Sequence, residues 1–386
     1  MVARRYLRLI APPKGSFFLF GLRGVGKSTW TRDVFPGAHV VDLLDEARHH
    51  ELLANPALLG LELRGLPRDR VVVLDEVQRI PALLNEVHRA IEGSRRRFVL
   101  LGSSARRLTT ASTNLLAGRA TVHAMYPLVP AELGSDFVLE RVLRFGSVPL
   151  VWQADDPRAT LDAYVQLYIR EEIRAEAQVR NLPGFLRFLP VAALFHGQVI
   201  NVAGLARDAA TARTTVEGYL GILQDTLLAT LVPAFESRLR VRERRHPKLY
   251  WVDAGIVRAA KRQLGAVSAE ERGALLEGWI LTVLRAHNQR AEIFDEVAYW
   301  APAEARQTEV DFLLRRGREH LAIEIKAQAR FAPAQLSGLR AIAGLPRLAR
   351  RVLVYLGDRP LKTEDRIDVW PLPVLLDAVA AGRLWP

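Results

Sequence analysis

The residues best suited to chemistry form a glycine-rich segment that ends in lysine and serine. Residues 21–28 read GLRGVGKS and follow an apolar run at residues 17–20. A strand ending in the pattern G-x-x-x-x-G-K-[ST], with a helix starting near Lys27, turns backbone N–H groups around a polyphosphate. Lys27 is then expected to reach the β- and γ-phosphates of ATP, and the Ser28 hydroxyl to bind Mg²⁺. The residues predicted to contact the nucleotide are Gly21, Arg23, Gly24, Val25, Gly26, Lys27, Ser28 and Thr29.

A second apolar run, residues 71–74, ends in the carboxylates Asp75 and Glu76. A run without alternation is typical of a central parallel strand buried on both faces, and α/β sheets bind ligands at the carboxyl ends of such strands. We predict that Asp75 holds the Mg²⁺ shell and that Glu76 orients or deprotonates an attacking water. The second carboxylate favours hydrolysis over simple nucleotide binding. The alternative for Glu76 is a solvated carboxylate at the end of a strand.

A third apolar run, residues 98–101, is followed by Gly102, Ser103 and Ser104. A small polar side chain at this strand end can reach between the two earlier motifs and contact the γ-phosphate or the attacking water. The sequence does not choose between Ser103 and Ser104. A turn with a helix N-cap is the alternative for either serine.

These three segments, in this order, resemble the core of AAA+ ATPases. Residues 74–81, 101–105 and 116–120 narrow the resemblance to prokaryotic AAA-type ATPases that carry a C-terminal domain of unknown function, DUF4143, and residues 164–173 and 247–255 extend it. The resemblance implies that the serine position is the one called sensor 1. It also implies a ring of subunits, expected to be a hexamer, in which Arg119 completes the neighbouring active site as an arginine finger. An arginine on a solvated helix end or loop is the alternative for Arg119.

The composition of the chain limits the classes of protein to which it can belong. The chain has 386 residues and no cysteine, so two or three domains are expected and disulfides and thiolate metal sites are excluded. The lack of cysteine fits a reducing cytoplasm, and no apolar run is long enough to span a bilayer, so no membrane partner is expected. Lysine and arginine total 54 against 42 acidic residues, a net charge of +12. Nucleic acid is the favoured polyanion, because a GC-rich genome would explain the preference for arginine but not the sign of the charge.

The middle of the chain has the pattern of a helical region followed by a winged helix. Residues 161–179 have helical spacing, residues 201–206 and 211–223 would form two helices, and residues 237–245 would form a basic wing. Contacts with DNA phosphates are predicted for Arg213, Arg238, Arg240, Arg242 and Arg244. The alternative is a protein-docking or lid element whose arginines are solvated.

The C-terminal part holds a second possible chemistry. Asp311 lies on one predicted strand and Glu324 and Lys326 lie on the next, which resembles the PD-(D/E)xK nuclease fold. Asp311 and Glu324, helped by Glu277 on a helix, would bind Mg²⁺ through hard oxygen ligands, and Lys326 would orient the nucleophile or neutralise developing charge. The alternative is a buried Glu324–Lys326 ion pair in a fold retained for binding.

The predicted fold class is therefore α/β, in three parts. Residues 1–155 form a P-loop AAA+ core with a parallel sheet, residues 156–245 a helical and winged-helix region, and residues 246–386 a nuclease-like α/β domain. The first function this predicts is an ATP-driven motor of the helicase or branch-migration type on DNA, with branched DNA as a candidate substrate and a C-terminal domain that binds or cleaves DNA. The second is a regulatory ATPase whose nucleotide state controls binding of a partner protein, with a catalytically silent nuclease fold.

Overall fold

The computed structural model of the protein describes residues 5–104, 116–168, 181–236, 245–302 and 308–386. Within these ranges the chain forms a parallel α/β sheet, a helical middle with a small sheet, and a mixed C-terminal sheet. The predicted succession of parallel sheet, helical middle and C-terminal α/β domain is confirmed. In the described part of the chain, no helix is both long enough and apolar enough to cross a bilayer.

The first part is built on a parallel sheet with helices between its strands. Its elements are β1 (Ser16–Gly21), α1 (Lys27–Val34), β2 (His39–Asp42), α2 (Glu46–Ala54), α3 (Ala57–Gly65), β3 (Val72–Asp75), α4 (Leu83–Ser94), β4 (Phe98–Gly102) and β5 (Ala120–Met125). The spatial order is β2-β3-β4-β1-β5, and every neighbouring pair is parallel. Alternate side chains of β1 enter two apolar cores, Phe17 and Leu19 on one face and Phe18 and Phe20 on the other. The predicted burial of a central strand on both faces is therefore confirmed.

Short helices connect this sheet to the middle of the chain. They are α5 (Pro130–Leu133), α6 (Leu139–Phe145), α7 (Pro149–Trp152) and α8 (Pro157–Ala163), and a π-helical turn at Tyr164–Tyr168 follows them. The prediction of helix for residues 161–179 is confirmed as far as residue 168. Residues 169–180 lie outside the described ranges.

The middle of the chain has the element order of a winged helix. Its elements are α9 (Leu182–Leu194), β6 (Gln198–Val199), α10 (Val202–Asp208), α11 (Arg213–Asp225), β7 (Ala229–Val232) and β8 (Lys248–Trp251), and the three strands form an antiparallel sheet in the order β6-β8-β7. The Asn201 side chain accepts a hydrogen bond from Ala203 N at 3.0 Å, which begins α10 at the predicted place. Tyr219, Leu220 and Leu223 are buried on the inner face of α11, as the helical spacing predicted.

The C-terminal part is a mixed sheet backed by a long helix. Its elements are α12 (Ala254–Ala260), α13 (Ala269–Ala291), β9 (Glu296–Trp300), β10 (Val310–Arg316), β11 (Glu319–Lys326), α14 (Ser337–Ala341), β12 (Leu348–Tyr355), β13 (Leu361–Lys362), β14 (Asp368–Pro371) and α15 (Leu372–Ala380), and the strand order is β13-β14-β12-β11-β10-β9. The predicted hairpin is confirmed, because β10 and β11 are antiparallel with Phe312 opposite Ile323. Ser268 and Glu271 form a capping box that begins α13.

The small sheet of the middle part continues into the C-terminal part. Strand β8 pairs with both β6 and β7, so this sheet crosses the predicted boundary between residues 245 and 246. Phe235 N also donates to Tyr299 O at 2.7 Å, which joins the end of β7 to β9. One apolar core runs through all three parts. The division into three domains stays a prediction.

Asp253 fastens the short helices after the first sheet to the start of α12. Its side chain is buried and accepts hydrogen bonds from Ser147 N at 2.7 Å and Ile256 N at 3.0 Å. Burial raises the pKa of this carboxyl to about 6, against the effect of the backbone donors. A Cβ on Gly255 would lie 2.1 Å from Phe145 O, so only glycine permits the backbones to approach this closely.

We expect Asp253→Asn to lower the free energy of unfolding by about 1–3 kcal/mol, because an amide has one acceptor oxygen and its NH₂ group would face a buried N–H. Urea denaturation followed by circular dichroism measures this change. The matched control is Asp162→Asn, which removes an exposed carboxylate. Equal stability of the two variants would contradict the role given to Asp253.

Candidate nucleotide site and acidic cluster

The loop at residues 21–28 has the geometry that its sequence predicted. Gly24 and Gly26 have positive φ angles of 76° and 98°, a region that favours glycine, and α1 begins at Lys27. Lys27 is buried, and its Nζ donates to Gly21 O at 2.7 Å and to Leu22 O at 3.2 Å. The first turn of α1 contains no acidic residue, and none of the described side chains caps it. This helix end is therefore open to an anion.

Three neighbouring parts of the chain hold the carbonyl side of the loop. Tyr164 Oη donates to Arg23 O at 3.0 Å, Leu150 N donates to Gly24 O at 3.3 Å, and Arg8 Nη1 donates to Val25 O at 2.7 Å. In a trans peptide, the C=O of one residue and the N–H of the next residue point in opposite directions. The amides of Gly24 and Gly26 therefore face away from the groups that hold Arg23 O and Val25 O.

Arg8 is a residue that sequence reasoning missed. Its Nε donates to Glu132 Oε1 at 2.9 Å, and the side chains of Arg8 and Glu132 are only 8% and 4% exposed. No motif marks Arg8 in the sequence, because its partners Val25 and Glu132 are distant along the chain.

The two residues predicted to bind Mg²⁺ beside the nucleotide, Ser28 and Asp75, lie in contact. Ser28 Oγ donates to Asp75 Oδ2 at 2.6 Å, and Asp75 Oδ1 accepts from Glu76 N at 3.0 Å. Burial raises the pKa of Asp75, and the nearby charge of Glu76 raises it further. A hydroxyl and a carboxylate are hard oxygen donors of the kind that Mg²⁺ takes in nucleotide sites, so these residues fit the ion. Ser28 and Asp75 would hold the ion, which would supply positive charge to offset that of the phosphates.

The carboxylate of Glu76 is held by Gln78 and Ser103. Gln78 Nε2 donates to Glu76 Oε2 and lies 2.9 Å from Ser103 Oγ, which itself lies 3.3 Å from Glu76 Oε2. The sheet order explains the contact, because β4 lies between β1 and β3 and brings its last residues between the two motifs. Ser103 therefore contacts Glu76, and Ser104, the other candidate, is fully buried. Gln78 was not predicted as a site residue, although it lies in the stretch that carried the family resemblance.

Arg119 lies apart from these groups within its own chain. Its Nε donates to Glu92 on α4, and its side chain is 37% exposed. Arg213, the first residue of α11, is 69% exposed and pairs with Glu217 Oε1 at 3.0 Å. The other predicted DNA contacts, Arg238, Arg240, Arg242 and Arg244, lie outside the described residues.

The C-terminal residues predicted to bind metal converge in an acidic cluster. Asp311 and Glu324 are buried on neighbouring strands, Glu277 faces them from α13, and Lys326 Nζ pairs with Glu324 Oε1. Burial and the charge of Asp311 raise the pKa of Glu277 to about 8 and raise that of Glu324 as well. Burial opposes the charge of Lys326, but Glu324 and Asp311 outweigh this effect and raise its pKa.

Two members of the acidic cluster come from β8 and were missed. Lys248 is 2% exposed, and its Nζ lies 3.2 Å from Glu309 Oε2, 3.3 Å from Asp311 Oδ1 and 4.0 Å from Glu277 Oε2. Tyr250 Oη donates to Glu277 Oε2 at 3.0 Å. Lys248 and Tyr250 are two residues apart, and residues i and i+2 of a strand lie on the same face. This spacing was the signal in the sequence. Residues 247–255 were used only for the family resemblance.

Three family models match the chain. The model described as an AAA domain matches residues 14–134, a domain of unknown function, DUF8612, matches residues 137–267, and DUF4143, also of unknown function, matches residues 272–375. With the geometry above, the first match makes the N-terminal module an AAA domain. The expected combination of an N-terminal AAA domain and a C-terminal DUF4143 domain is confirmed.

The chain is also similar to curated relatives and, more weakly, to solved structures. Two uncharacterized proteins, from Mycobacterium bovis and Mycobacterium tuberculosis, are each 27% identical over 380 residues, which is 95% of this chain and 82% of the relative. The Aeropyrum pernix ORC1 protein in complex with DNA is 16% identical with a TM-score of 0.27, over 66% of this chain and 87% of that one. The Vibrio cholerae protein VC1899 is 14% identical with a TM-score of 0.23, over 95% and 96%. Similarities this low support no assignment of function.

We expect Glu76→Gln to slow ATP hydrolysis by at least about 100-fold, because the amide cannot accept a proton from water. Nucleotide affinity should stay nearly unchanged, since Glu76 does not hold the phosphate loop. Steady-state phosphate release and titration with a fluorescent ATP analogue measure the two quantities. The control Glu270→Gln, which changes an exposed glutamate at the start of α13, should behave as wild type. A Glu76→Gln variant that hydrolyses ATP normally would exclude the role of general base.

Proposed function

We propose that this protein is a Mg²⁺-dependent ATPase that uses hydrolysis to act on DNA as a motor of the helicase or branch-migration type. The observation that carries the hydrolytic part is the position of Glu76, held by Gln78 and Ser103 and next in sequence to Asp75, which contacts Ser28. A site that only bound nucleotide would need the phosphate loop and one metal ligand. A second, oriented carboxylate is what activation of a water requires.

Each residue has a definite part in this proposal. Lys27 would exchange its carbonyl partners, Gly21 O and Leu22 O, for phosphate oxygens of ATP. Ser28 and Asp75 would hold the metal ion. Glu76 would accept the proton of the attacking water, and Ser103 would orient the carboxylate or contact the γ-phosphate.

Charge and architecture support DNA as the partner. The chain has a net charge of +12, and the element order from α9 to β8 is that of a winged helix. In such a fold the second helix of the pair enters the major groove. In this chain that helix is α11, whose first residue is the exposed Arg213. The segment between β7 and β8 contains the wing arginines. We propose that α11 and this wing contact phosphates, and that the C-terminal domain adds to the grip on DNA.

The test of this function is the steady-state ATPase rate without DNA and with single-stranded, duplex and four-way-junction DNA, at low and moderate salt. We expect one form to raise the rate several-fold, with Lys27→Ala as the blank. Replacing Arg238, Arg240 and Arg242 with alanine should weaken DNA binding and flatten its salt dependence, because fewer counterions are released. A rate indifferent to every DNA would contradict the motor and favour the regulatory switch that controls a partner protein.

We further propose that the subunits form a ring, expected to be a hexamer, in which Arg119 acts in the neighbouring site. Arg119→Ala should abolish hydrolysis and leave nucleotide affinity nearly intact, because a finger stabilises charge that develops only in the transition state. Arg95→Ala, which changes an exposed arginine in the same N-terminal part of the chain, is the matched control. Equal loss of affinity and hydrolysis in Arg119→Ala would remove the finger role, and a monomer by light scattering with ATP would remove the ring.

A further inference from the structure

A lysine side chain lies among the carboxylates of the acidic cluster. Lys248 enters from β8, which belongs to the small sheet of the middle part, whereas Asp311 lies on β10 of the C-terminal sheet and Glu277 on α13. Its ammonium is 2% exposed and lies within 4.0 Å of carboxylate oxygens of Glu277, Glu309 and Asp311. The ring of Tyr299 covers it at 5.5 Å from the centroid. An ammonium is a compact cation with three donors, so it can satisfy several carboxylates at one point.

Several carboxylate oxygens of the acidic cluster already have partners. Asp311 Oδ1 faces Lys248 Nζ, and Asp311 Oδ2 accepts from Ile325 N at 2.8 Å. Glu277 Oε2 accepts from Tyr250 Oη, and Glu324 Oε1 accepts from Lys326 Nζ. Glu324 Oε2 is buried and has no hydrogen-bond partner among the described residues. The arrangement therefore offers a metal ion few oxygens that are not already engaged.

These contacts do not fit Mg²⁺. The ion demands near-octahedral oxygen coordination at about 2.0–2.1 Å and usually keeps several waters. A divalent ion bound by Asp311 and Glu277 would have to share those carboxylates with the Lys248 ammonium, and like charges in a poorly solvated site repel strongly. The metal could enter only if the buried Lys248 left its partners, which would leave a buried ammonium without compensation.

We propose that Lys248 is the permanent cation of the acidic cluster, so that this domain binds no divalent metal there and cleaves no DNA by a metal-dependent route. The cluster then serves as a charged junction between the small sheet and the C-terminal sheet. A metal site remains latent in the carboxylates, because removing the ammonium leaves Glu277, Glu309 and Asp311 without their shared cation. This inference does not depend on the ATPase function, and its test uses no nucleotide.

The test is titration with Mn²⁺, followed by electron paramagnetic resonance, in full-length protein that carries Asp75→Asn to remove a metal ligand of the nucleotide site. With Lys248 present we expect no Mn²⁺ binding that depends on Asp311 in the range up to ~1 mM, where weak carboxylate sites fill. Adding Lys248→Met should create a site whose dissociation constant for Mn²⁺ is at least about tenfold below ~1 mM. Mn²⁺ should also raise the melting temperature of the Lys248→Met protein but not that of its parent.

Two further variants identify the site. Adding Asp311→Asn to Lys248→Met should abolish the new binding. Lys261→Met removes another lysine that pairs with a carboxylate, Glu271 at 3.3 Å, and should create no metal site, because Arg258 still pairs with Glu271.

The proposal is overturned if the protein with Lys248 intact binds Mn²⁺ in a manner that Asp311→Asn abolishes. It is equally overturned if the Lys248→Met protein folds and binds no Mn²⁺. A third contradicting outcome is DNA cleavage by the wild-type protein with Mg²⁺ or Mn²⁺ that is lost in Asp311→Asn. Should Lys248→Met fail to fold, the titration with Lys248 intact decides alone. Loss of DNA-stimulated ATP hydrolysis leaves all of these outcomes unchanged, so failure of the proposed function is distinguished from failure of this inference.

Discussion

A charge buried away from water has to find its partners inside the protein, and this constraint joins the parts of this structure. Lys248 requires carboxylates, and they come from α13, from the segment before β10 and from β10 itself. Arg258 is 1% exposed and is satisfied by Glu271 and by backbone carbonyls that include Arg144 O. The contacts of Lys248 and the hydrogen bond from Arg258 to Arg144 O join residues far apart in sequence, so they hold these elements in the arrangement that pairs each buried charge.

The phosphate loop is tied to the rest of the chain by the same means. Residues 147–150 contact Asp253 through Ser147 N and the loop through Leu150 N, so one short segment touches both the nucleotide site and the start of α12. Arg8 holds Val25 O from the other side while paired with the buried Glu132. A displacement of the loop backbone must therefore be accommodated by the segment that also holds Asp253. This contiguity connects the ATPase module physically to the small sheet and, through Lys248, to the acidic cluster.

The two candidate sites show how similar residues can have opposite chemistry. In the nucleotide site, Ser28 and Asp75 lie together, and Lys27 is hydrogen-bonded to backbone carbonyls that phosphate oxygens can replace. In the acidic cluster, the carboxylates are already compensated by Lys248, whose partners cannot be replaced without leaving buried charge behind. The first arrangement is prepared for a ligand, and the second has its cation supplied by the chain.

Sequence alone determined the elements whose signal is local. The apolar runs predicted β1, β3 and β4, because a strand buried on both faces tolerates no polar residue before its end. The glycine pattern predicted a loop with positive φ angles, which glycine adopts readily. The Asp311, Glu324 and Lys326 hairpin followed from the alternation of side chains along strands. Only the tertiary structure revealed that Ser103 contacts Glu76, because that depends on β4 lying between β1 and β3. It alone revealed Arg8 and Lys248, since each acts on residues far away in sequence, and the cost of burying a charge appears only when the surrounding elements are in place.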